Sequence, residues 1–298
     1  MQSIRVILLG SGKATNCFLK KCKNLPYISI VGNVPDHSVN ATDLRGLNNE
    51  IRDMEIDIFE LNEDVISKSD IVFSIEYRRI VPSELCDKFL FVNCHGGILP
   101  KWRGFSANAW AIMNGESEIG FSIHRVREGL DAGEIYYVKH MPIAENQTYG
   151  DLHADMIDAI VNETPQLLFD IVNGKISGEK QPDCGFVYCN RFTASMGNIG
   201  GFVERTDYYV NLYRCMAKPL GTGVWFVYKD KKYTVNKIEP GRQYGVADYL
   251  GIPGKVVNTS DGKLWIKTQD NVVVLSSIEV DGNYVDVGNV FTNGNRIV

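Results

Sequence analysis

Residues 89–104 read FLFVNCHGGILPKWRG, an apolar run that passes directly into polar residues and a glycine pair. The run Phe89–Val92 predicts a buried strand, and Asn93 and His95 follow it two positions apart, which places both side chains on one side. Taken alone, a histidine at a strand end is more often a structural, hydrogen-bonded residue. However, the carboxyl ends of strands in open α/β sheets are where active sites form, and Gly96-Gly97 lets the backbone turn there. We therefore expect a candidate site at this strand end.

Strand and helix patterns alternate on both sides of this stretch, which predicts an α/β architecture around a mainly parallel sheet. The other predicted strands are Ile4–Leu9, Ile28–Gly32, Ile71–Ile75, Phe121–Val126 and Ile135–Met141. The predicted helices are Asn16–Lys23, Pro82–Lys88, one capped by Ser106 and ending at Gly115, and a long one from the capping box Thr148/Asp151 toward Gly174 that contains the helix-kinking residue Pro165.

The pattern changes in the last 120 or so residues, as short strands replace the strand-helix alternation. Residues 175–204 are rich in Gly, Ser, Pro and Asn, and we interpret them as a connecting segment over the surface. Thr206–Met216 has the pattern of an amphipathic helix, and short apolar runs from Gly223 onward predict a small antiparallel barrel or sandwich. The expected domains are a catalytic domain (1–178), a linker (179–204) and a small β-barrel-like domain (205–298).

The charge of the 298-residue chain bears on its partners. The formal net charge is −5; residues 1–187 carry 18 basic and 26 acidic side chains, and residues 188–298 carry 13 and 10. A protein that binds nucleic acid usually has a basic surface, so we expect small anionic ligands instead. Seven cysteines without a CxxC pair are typical of reduced thiols, and we find no signal peptide and no apolar run long enough for a bilayer. These features predict a cytoplasmic protein without a membrane partner.

Gly10-Ser11-Gly12-Lys13 is a candidate nucleotide motif that fails on spacing. A dinucleotide fingerprint needs a third glycine where Thr15 stands, and a Walker loop needs four residues between its glycines. We interpret the stretch as a tight turn from strand to helix, and Asp36 is discounted as a ribose ligand for the same reason.

A second polar loop, Arg125–Gly133, reads RVREGLDAG and joins two predicted strands. Asp131 stands between Leu130 and the small pair Ala132-Gly133, which predicts a partly buried carboxylate. Two interpretations are open, namely an Asx-turn that organises the loop and a functional carboxylate near the strand end.

Together these stretches resemble the catalytic core of the N10-formyltetrahydrofolate-dependent formyltransferases, whose members act on methionyl-tRNA, glycinamide ribonucleotide or nucleotide-linked amino sugars. The family pattern falls here on Asn93, His95, Leu99-Pro100, Gly104, Asp131 and Gly133. The resemblance continues through Asn108–Gly115 and Gly120–Arg125 and, more weakly, through Lys218–Phe226 and Gly254–Val257. It implies a Rossmann-like, mainly parallel sheet with helices on both faces, followed by a small antiparallel OB-like β-barrel.

The resemblance implies that Asn93, His95 and Asp131 are catalytic. Asn93 would hydrogen-bond the negative oxygen of a tetrahedral intermediate, and His95 would move the proton of the amine. Asp131 would orient His95 and stabilise its cationic form, although which of the two is the base stays open. His124, in the matching segment GFSIHR, either supports these residues or makes a structural hydrogen bond.

The resemblance also implies N10-formyltetrahydrofolate as co-substrate and no metal. The residues expected to bind the folate are Tyr77, Arg78, Ile80, Val126, Leu130 and Asp131. The residues expected to contact the acceptor are Lys101, Trp102, Arg103 and Tyr77, and for Arg103 the alternative is structural positioning of its own turn.

Three acceptors compete. An enzyme for transfer RNA should be basic, yet Pro35–Ile58 contains six acidic residues and only Arg45 and Arg52 as basic ones. Glycinamide ribonucleotide enzymes resemble only the core, whereas SIEYRRIVP and HGGILPKWRG look most like sugar N-formyltransferases. We therefore favour a dTDP-, UDP- or GDP-linked amino sugar, with methionyl-tRNA as the alternative and an inactive folate- or nucleotide-sugar-binding relative as the non-enzyme alternative. The sequence does not determine the oligomeric state, and a homodimer is one option because paired subunits are common among soluble enzymes.

Overall fold

The computed structural model describes residues 3–37, 49–52, 54, 56–246 and 248–298. The chain divides into two compact units, the first made of Met1–Asn108, Ile119–Met141 and His153–Cys189 and the second of Ala109–Glu118, Pro142–Leu152 and Asn190–Val298. None of the helices in the described ranges combines the length and apolar character that a bilayer crossing requires. Of the acidic stretch noted above, Asp43, Arg45, Asp53 and Glu55 lie outside the described residues.

A six-stranded sheet is the centre of the first unit. Its strands are β1 (Ile4–Leu9), β2 (Ile28–Val34), β3 (Ile71–Ile75), β4 (Phe91–His95), β6 (Glu118–Arg125) and β7 (Ile135–Pro142), with the short strand β5 (Trp102–Gly104) outside the sheet. The order is β2-β1-β3-β4-β6-β7. The pairs β1–β2, β1–β3 and β3–β4 are parallel and β4–β6 is antiparallel, so the predicted mainly parallel sheet is confirmed.

Helices cover both faces of this sheet. The helices of this unit are α1 (Lys13–Cys22), α2 (Glu63–Ile66), α3 (Ser83–Lys88) and most of α5 (Tyr149–Val172, with Pro165 inside it), and most of α4 (Ala107–Met113) belongs to the second unit. Val6 of β1 lies in an apolar core with Phe18 of α1, whereas the next residue, Ile7, lies in a second core with Ile66 of α2. Because successive strand residues point to opposite faces, the two cores lie on opposite faces of the sheet.

The bounds of β4 differ from the prediction, and this difference affects the candidate site. The sequence predicted a strand over Phe89–Val92, but the strand runs over Phe91–His95. Asn93 continues the ladder because it pairs with Ser74 on β3 and with His124 on β6. The candidate residues therefore lie on a strand that is held from both sides, and their backbone positions are fixed by the sheet.

Residues 175–204, expected to be an irregular connection, contain the strand β8 (Val187–Cys189) and a 3-10 helix (Ala194–Gly197). β8 pairs in parallel with β5, and Phe105 N donates to the carbonyl of Cys189 at 3.0 Å. The connecting segment thus contains short regular elements, and the sequence did not reveal them because a strand of three residues is too short to display a period of two.

The second unit carries an open antiparallel sheet. Its strands are β9 (Val224–Tyr228), β10 (Lys231–Pro240), β11 (Val256–Asn258), β12 (Leu264–Lys267), β13 (Val272–Val280) and β14 (Asn283–Tyr284), and its helices are α6 (Thr206–Met216), α7 (Val287–Val290) and a 3-10 helix (Gly241–Tyr244). The order is β11-β12-β13-β10-β9, with β14 paired to β13. This arrangement confirms the predicted small antiparallel domain.

Aromatic side chains fill the core of the second unit. Phe226 of β9 lies opposite Tyr233 of β10, and their rings stack with centroids 5.4 Å apart. Phe291 packs on the same phenylalanine at 5.9 Å. The hairpin β9–β10 is thus held by a fully buried ring as well as by its backbone ladder.

Replacing Phe226 by Ala should lower the free energy of unfolding by about 3–5 kcal/mol, because the cavity cannot close around the missing ring. Urea denaturation followed by tryptophan fluorescence measures the change. The neighbouring variant Val227→Ala is the control, since Val227 is 42% exposed. An equal loss in both variants would contradict the assignment of Phe226 to the core.

Candidate active site

Two adjacent strands of the first unit present the candidate side chains. Asn93 and His95 of β4 point to the same side because they are two positions apart. His124 of β6 lies directly opposite Asn93 in the antiparallel ladder. The strand period and the register therefore bring three polar side chains together at the end of β4.

His95 is held at both of its ring nitrogens. Its Nε2 lies 2.7 Å from the carbonyl oxygen of Trp102, so Nε2 carries a proton and donates to that oxygen. Its Nδ1 lies 3.4 Å from Oδ2 of Asp131. In the neutral ring the lone pair is therefore on Nδ1, beside the carboxylate, and a proton taken up there forms an ion pair with Asp131. Nδ1 is therefore the atom of the His95 ring that can accept a proton.

Burial decides the charge of His95. Its side chain is 7% exposed, and burial lowers the pKa of His95 below its ordinary value of 6.5, although the Asp131 carboxylate opposes this shift. The ring is therefore neutral near pH 7, which is the form that can accept a proton.

Asp131 remains ionised in the same surroundings. Burial raises the pKa of its carboxyl, but His95, His124 and the backbone N–H of Gly104 outweigh this effect and lower the pKa to about 2. Gly104 N donates to Oδ2 at 2.8 Å, and Nε2 of His124 lies 3.5 Å from Oδ1. The backbone of Asp131 has a φ of 50°, in the left-handed region that few residues other than glycine adopt. Contacts around the loop therefore hold the carboxylate in place.

His124 orients the amide of Asn93. Its Nδ1 lies 2.9 Å from the carbonyl oxygen of Arg125, so Nδ1 carries the proton and Nε2 is an acceptor. Nδ2 of Asn93 donates to this Nε2 at 3.1 Å, which leaves the second amide hydrogen for a ligand. His124 makes the structural hydrogen bond that was considered, and it also contacts Asn93 and Asp131, so its support of these residues stays a prediction.

The Gly10–Lys13 stretch forms a turn into α1, whose N-terminus is occupied by the chain itself. Oε2 of Glu76 accepts hydrogen bonds from Ala14 N at 2.9 Å and Thr15 N at 3.4 Å. A Cβ on Gly12 would lie 1.9 Å from the same oxygen. A carboxylate therefore stands where a dinucleotide-binding fold would place a phosphate. The buried Asp36 accepts a hydrogen bond from Arg78 N at 2.7 Å, which agrees with discounting it as a ribose ligand.

The residues expected around the folate differ in exposure. Tyr77 and Val126 are partly buried against the core that contains Phe91 of β4. Ile80 is 94% exposed and Leu130 is 48% exposed. Arg78 is exposed and is anchored through its backbone. Val126 N donates to the carbonyl of Phe91, at the start of β4, so these residues do not all lie at one strand end. Their contact with folate stays a prediction.

The residues expected to contact the acceptor make different contacts. The Lys101 ammonium lies 5.3 Å from the centroid of the Trp102 ring, and Trp102 is buried. The Arg103 guanidinium is buried; it donates to Oε1 of Gln181 at 2.8 and 3.2 Å and lies 3.9 Å from the Phe186 ring centroid. These contacts agree with the alternative considered for Arg103, in which the side chain positions its own turn. An interaction of Lys101, Trp102 or Arg103 with an acceptor stays a prediction.

Gln181 was missed by the sequence analysis. Its Nε2 donates to the carbonyls of Asp131 at 2.8 Å and Gly133 at 2.6 Å. It lies in the segment that was expected to be a surface connection, although it is itself buried. No local pattern marks a glutamine whose partners lie about fifty positions away.

Two protein-family models match the sequence of this chain. The one described as formyl transferase covers residues 57–168, and the one described as the C-terminal domain of formyl transferase covers residues 206–296. Together these matches span more than half of the 298 residues. The methionyl-tRNA formyltransferase of Clostridium novyi is 27% identical over 238 residues, which cover 76% of this chain and 72% of that protein.

Solved structures share the fold. WlaRD, a sugar 3N-formyl transferase crystallised with dTDP and 5-N-formyl-THF, superposes with a TM-score of 0.71 at 20% identity over 93% of this chain and 98% of its own. The N-formyltransferase from Helicobacter canadensis, in complex with folinic acid and dTDP-3-aminofucose, gives 0.69 at 19% identity over 93% of this chain and 100% of its own. With both family descriptions matched in order along the sequence, the chain belongs to the formyltransferase family and is a formyltransferase.

Proposed function

We propose that the protein transfers the formyl group of N10-formyltetrahydrofolate to the amine of a nucleotide-linked amino sugar, using Asn93, His95 and Asp131. The observation that carries the proposal is the convergence of these side chains, with Nδ1 of His95 3.4 Å from the Asp131 carboxylate and His124 aligned on Asn93. We propose a folate as the formyl donor because WlaRD and the Helicobacter canadensis protein were crystallised with folates.

The surface beside the site suits such a co-substrate. Ile80 and Leu130 expose apolar side chains, and Tyr77 and Val126 are partly buried against an apolar core of the first unit. Aromatic rings of a folate can cover apolar surface of this kind, and polar groups of the loop backbones can orient it. No metal is needed, because hydrogen bonds and proton transfer account for each step.

Asn93 acts on the oxygen of the formyl group. When the neutral amine attacks the formyl carbon, this oxygen becomes negative, and the free Nδ2 hydrogen of Asn93 can stabilise it. One well-placed donor of this kind commonly lowers the barrier by ~3 kcal/mol. The donation of the other hydrogen to His124 keeps the amide from turning away.

His95 acts on the proton of the amine. The amine nitrogen becomes positive as the new C–N bond forms, and Nδ1 of His95 accepts its proton while Asp131 stabilises the imidazolium. The same proton then passes to the departing nitrogen of the folate as the old C–N bond breaks. His95 is thus the base and then the acid, and the carboxylate stays ionised throughout.

The choice of acceptor rests on charge and on the structural relatives. The excess of acidic residues over 1–187 disfavours a polyanion, and WlaRD and the Helicobacter canadensis protein were crystallised with dTDP ligands. Methionyl-tRNA is the second candidate, favoured by the sequence similarity to the methionyl-tRNA formyltransferase of Clostridium novyi and by the 13 basic against 10 acidic residues of 188–298.

Incubation with 10-formyltetrahydrofolate and a panel of acceptors separates these candidates. We expect a dTDP-, UDP- or GDP-linked amino sugar to gain one formyl group, detected by mass spectrometry, with release of tetrahydrofolate. The His95→Ala variant is the blank. Formylation of methionyl-tRNA alone, with binding that weakens steeply with salt, would overturn the sugar assignment. Binding of both ligands without turnover would identify an inactive relative.

His95→Ala and Asp131→Ala should each reduce kcat by ~10² or more, because each removes part of one proton-transfer pair. The folded state should persist, as checked by circular dichroism. His140→Ala and Asp183→Ala are matched controls, since both side chains are exposed. A rate in either test variant equal to that of its control would remove that residue from the mechanism.

A further inference from the structure

The buried amide of Gln181 joins two parts of the site that are distant in sequence. Its Nε2 donates to the carbonyls of Asp131 and Gly133, at 2.8 and 2.6 Å, in the loop that carries the carboxylate. Its Oε1 accepts two hydrogen bonds from Arg103, at 3.2 and 2.8 Å, in the strand that follows His95. With 4% of Gln181 exposed, these contacts are shielded from water.

Arg103 fixes which way the amide of Gln181 points. A guanidinium has only donors, so the atom facing it must be the oxygen, and the NH2 group must then face the loop. Arg103 is in turn held by the ring of Phe186, 3.9 Å from its Cζ atom. Phe186 thus contacts Arg103, Arg103 fixes the orientation of the Gln181 amide, and the amide NH2 group donates to the loop.

The Asp131 loop needs such a support. Asp131 has a φ of 50°, and Gly133 approaches the backbone so closely that a Cβ there would lie 1.9 Å from the carbonyl oxygen of Arg125. Strained residues persist when their surroundings over-determine them. Gln181 binds the carbonyls on both sides of Ala132, and Gly104 N binds the carboxylate itself.

We infer that Gln181 is a positioning residue, which holds the Asp131 loop so that the carboxylate reaches Nδ1 of His95. The inference rests on the proposed function for its effect on rate, but its structural content can be measured without any substrate. Loss of the amide lets the carboxylate move away from the imidazole. Misplacement of a reacting group by about 1 Å can cost ~10²-fold in rate.

Gln181→Met tests the inference, because methionine fills similar space without a donor or an acceptor. We expect kcat to fall about 10-fold or more, and KM for either substrate to change less than kcat, because the loop that moves supplies only part of the surface proposed to bind them. The pKa of His95, followed by NMR of labelled imidazole, should fall as it does in Asp131→Asn, because the carboxylate raises it. Gln166→Met, at an exposed position of α5, is the control and should match wild type.

The double variant Arg103→Met/Gln181→Met separates positioning from stability. It leaves no buried guanidinium without an acceptor, so its free energy of unfolding should recover relative to Gln181→Met, while the two loop carbonyls still lack their donor. We expect kcat and the pKa of His95 to stay low in the double variant. Recovery of both to wild-type values would overturn the inference, and so would an unchanged His95 pKa in the variants. If Gln181→Met does not fold, the double variant alone decides.

The NMR titration also separates this inference from the proposed function. A wild-type protein that formylates none of the acceptors contradicts the function, while a shifted His95 pKa in the variants still supports the role of Gln181.

Discussion

The contact between Nδ1 of His95 and the Asp131 carboxylate, 3.4 Å apart, is the interaction on which the rest of the site depends. It brings together a strand residue and a loop residue, and each shifts the pKa of the other. The carboxylate stays ionised beside the imidazole, while burial keeps the imidazole neutral. A proton accepted at Nδ1 therefore creates an ion pair in place, in surroundings that need little rearrangement when charge appears.

The fold contributes mainly backbone groups to this arrangement. The carbonyl of Trp102 selects the tautomer of His95, and the N–H of Gly104 holds the carboxylate of Asp131. Both residues belong to β5, a strand of three residues whose position is fixed by pairing with β8. The large sheet positions the other two side chains, because the register of β4 and β6 places His124 opposite Asn93. Precise side-chain chemistry thus rests on short, hydrogen-bonded segments outside the large core.

Much of this could be predicted from the sequence. The alternation of strands and helices predicted the parallel sheet, and the period of two placed Asn93 and His95 together. The role of Trp102 could not be predicted this way, because it uses a carbonyl that every residue has. The contacts of Gln181 could not be predicted either, because its partners lie far along the chain and its own segment has no periodic pattern. Arg103 was expected to contact the acceptor because it is a cation close to His95 in the sequence, but its guanidinium contacts Gln181 and Phe186.

The most direct test of the central claim is the protonation state of the His95 ring, read from nitrogen chemical shifts of labelled protein during a pH titration. We predict a neutral ring with its hydrogen on Nε2 near pH 7. On acidification the ring should take up a proton at Nδ1 with a pKa below 6.5. A neutral ring with its hydrogen on Nδ1, or a ring already charged near pH 7, would contradict the account.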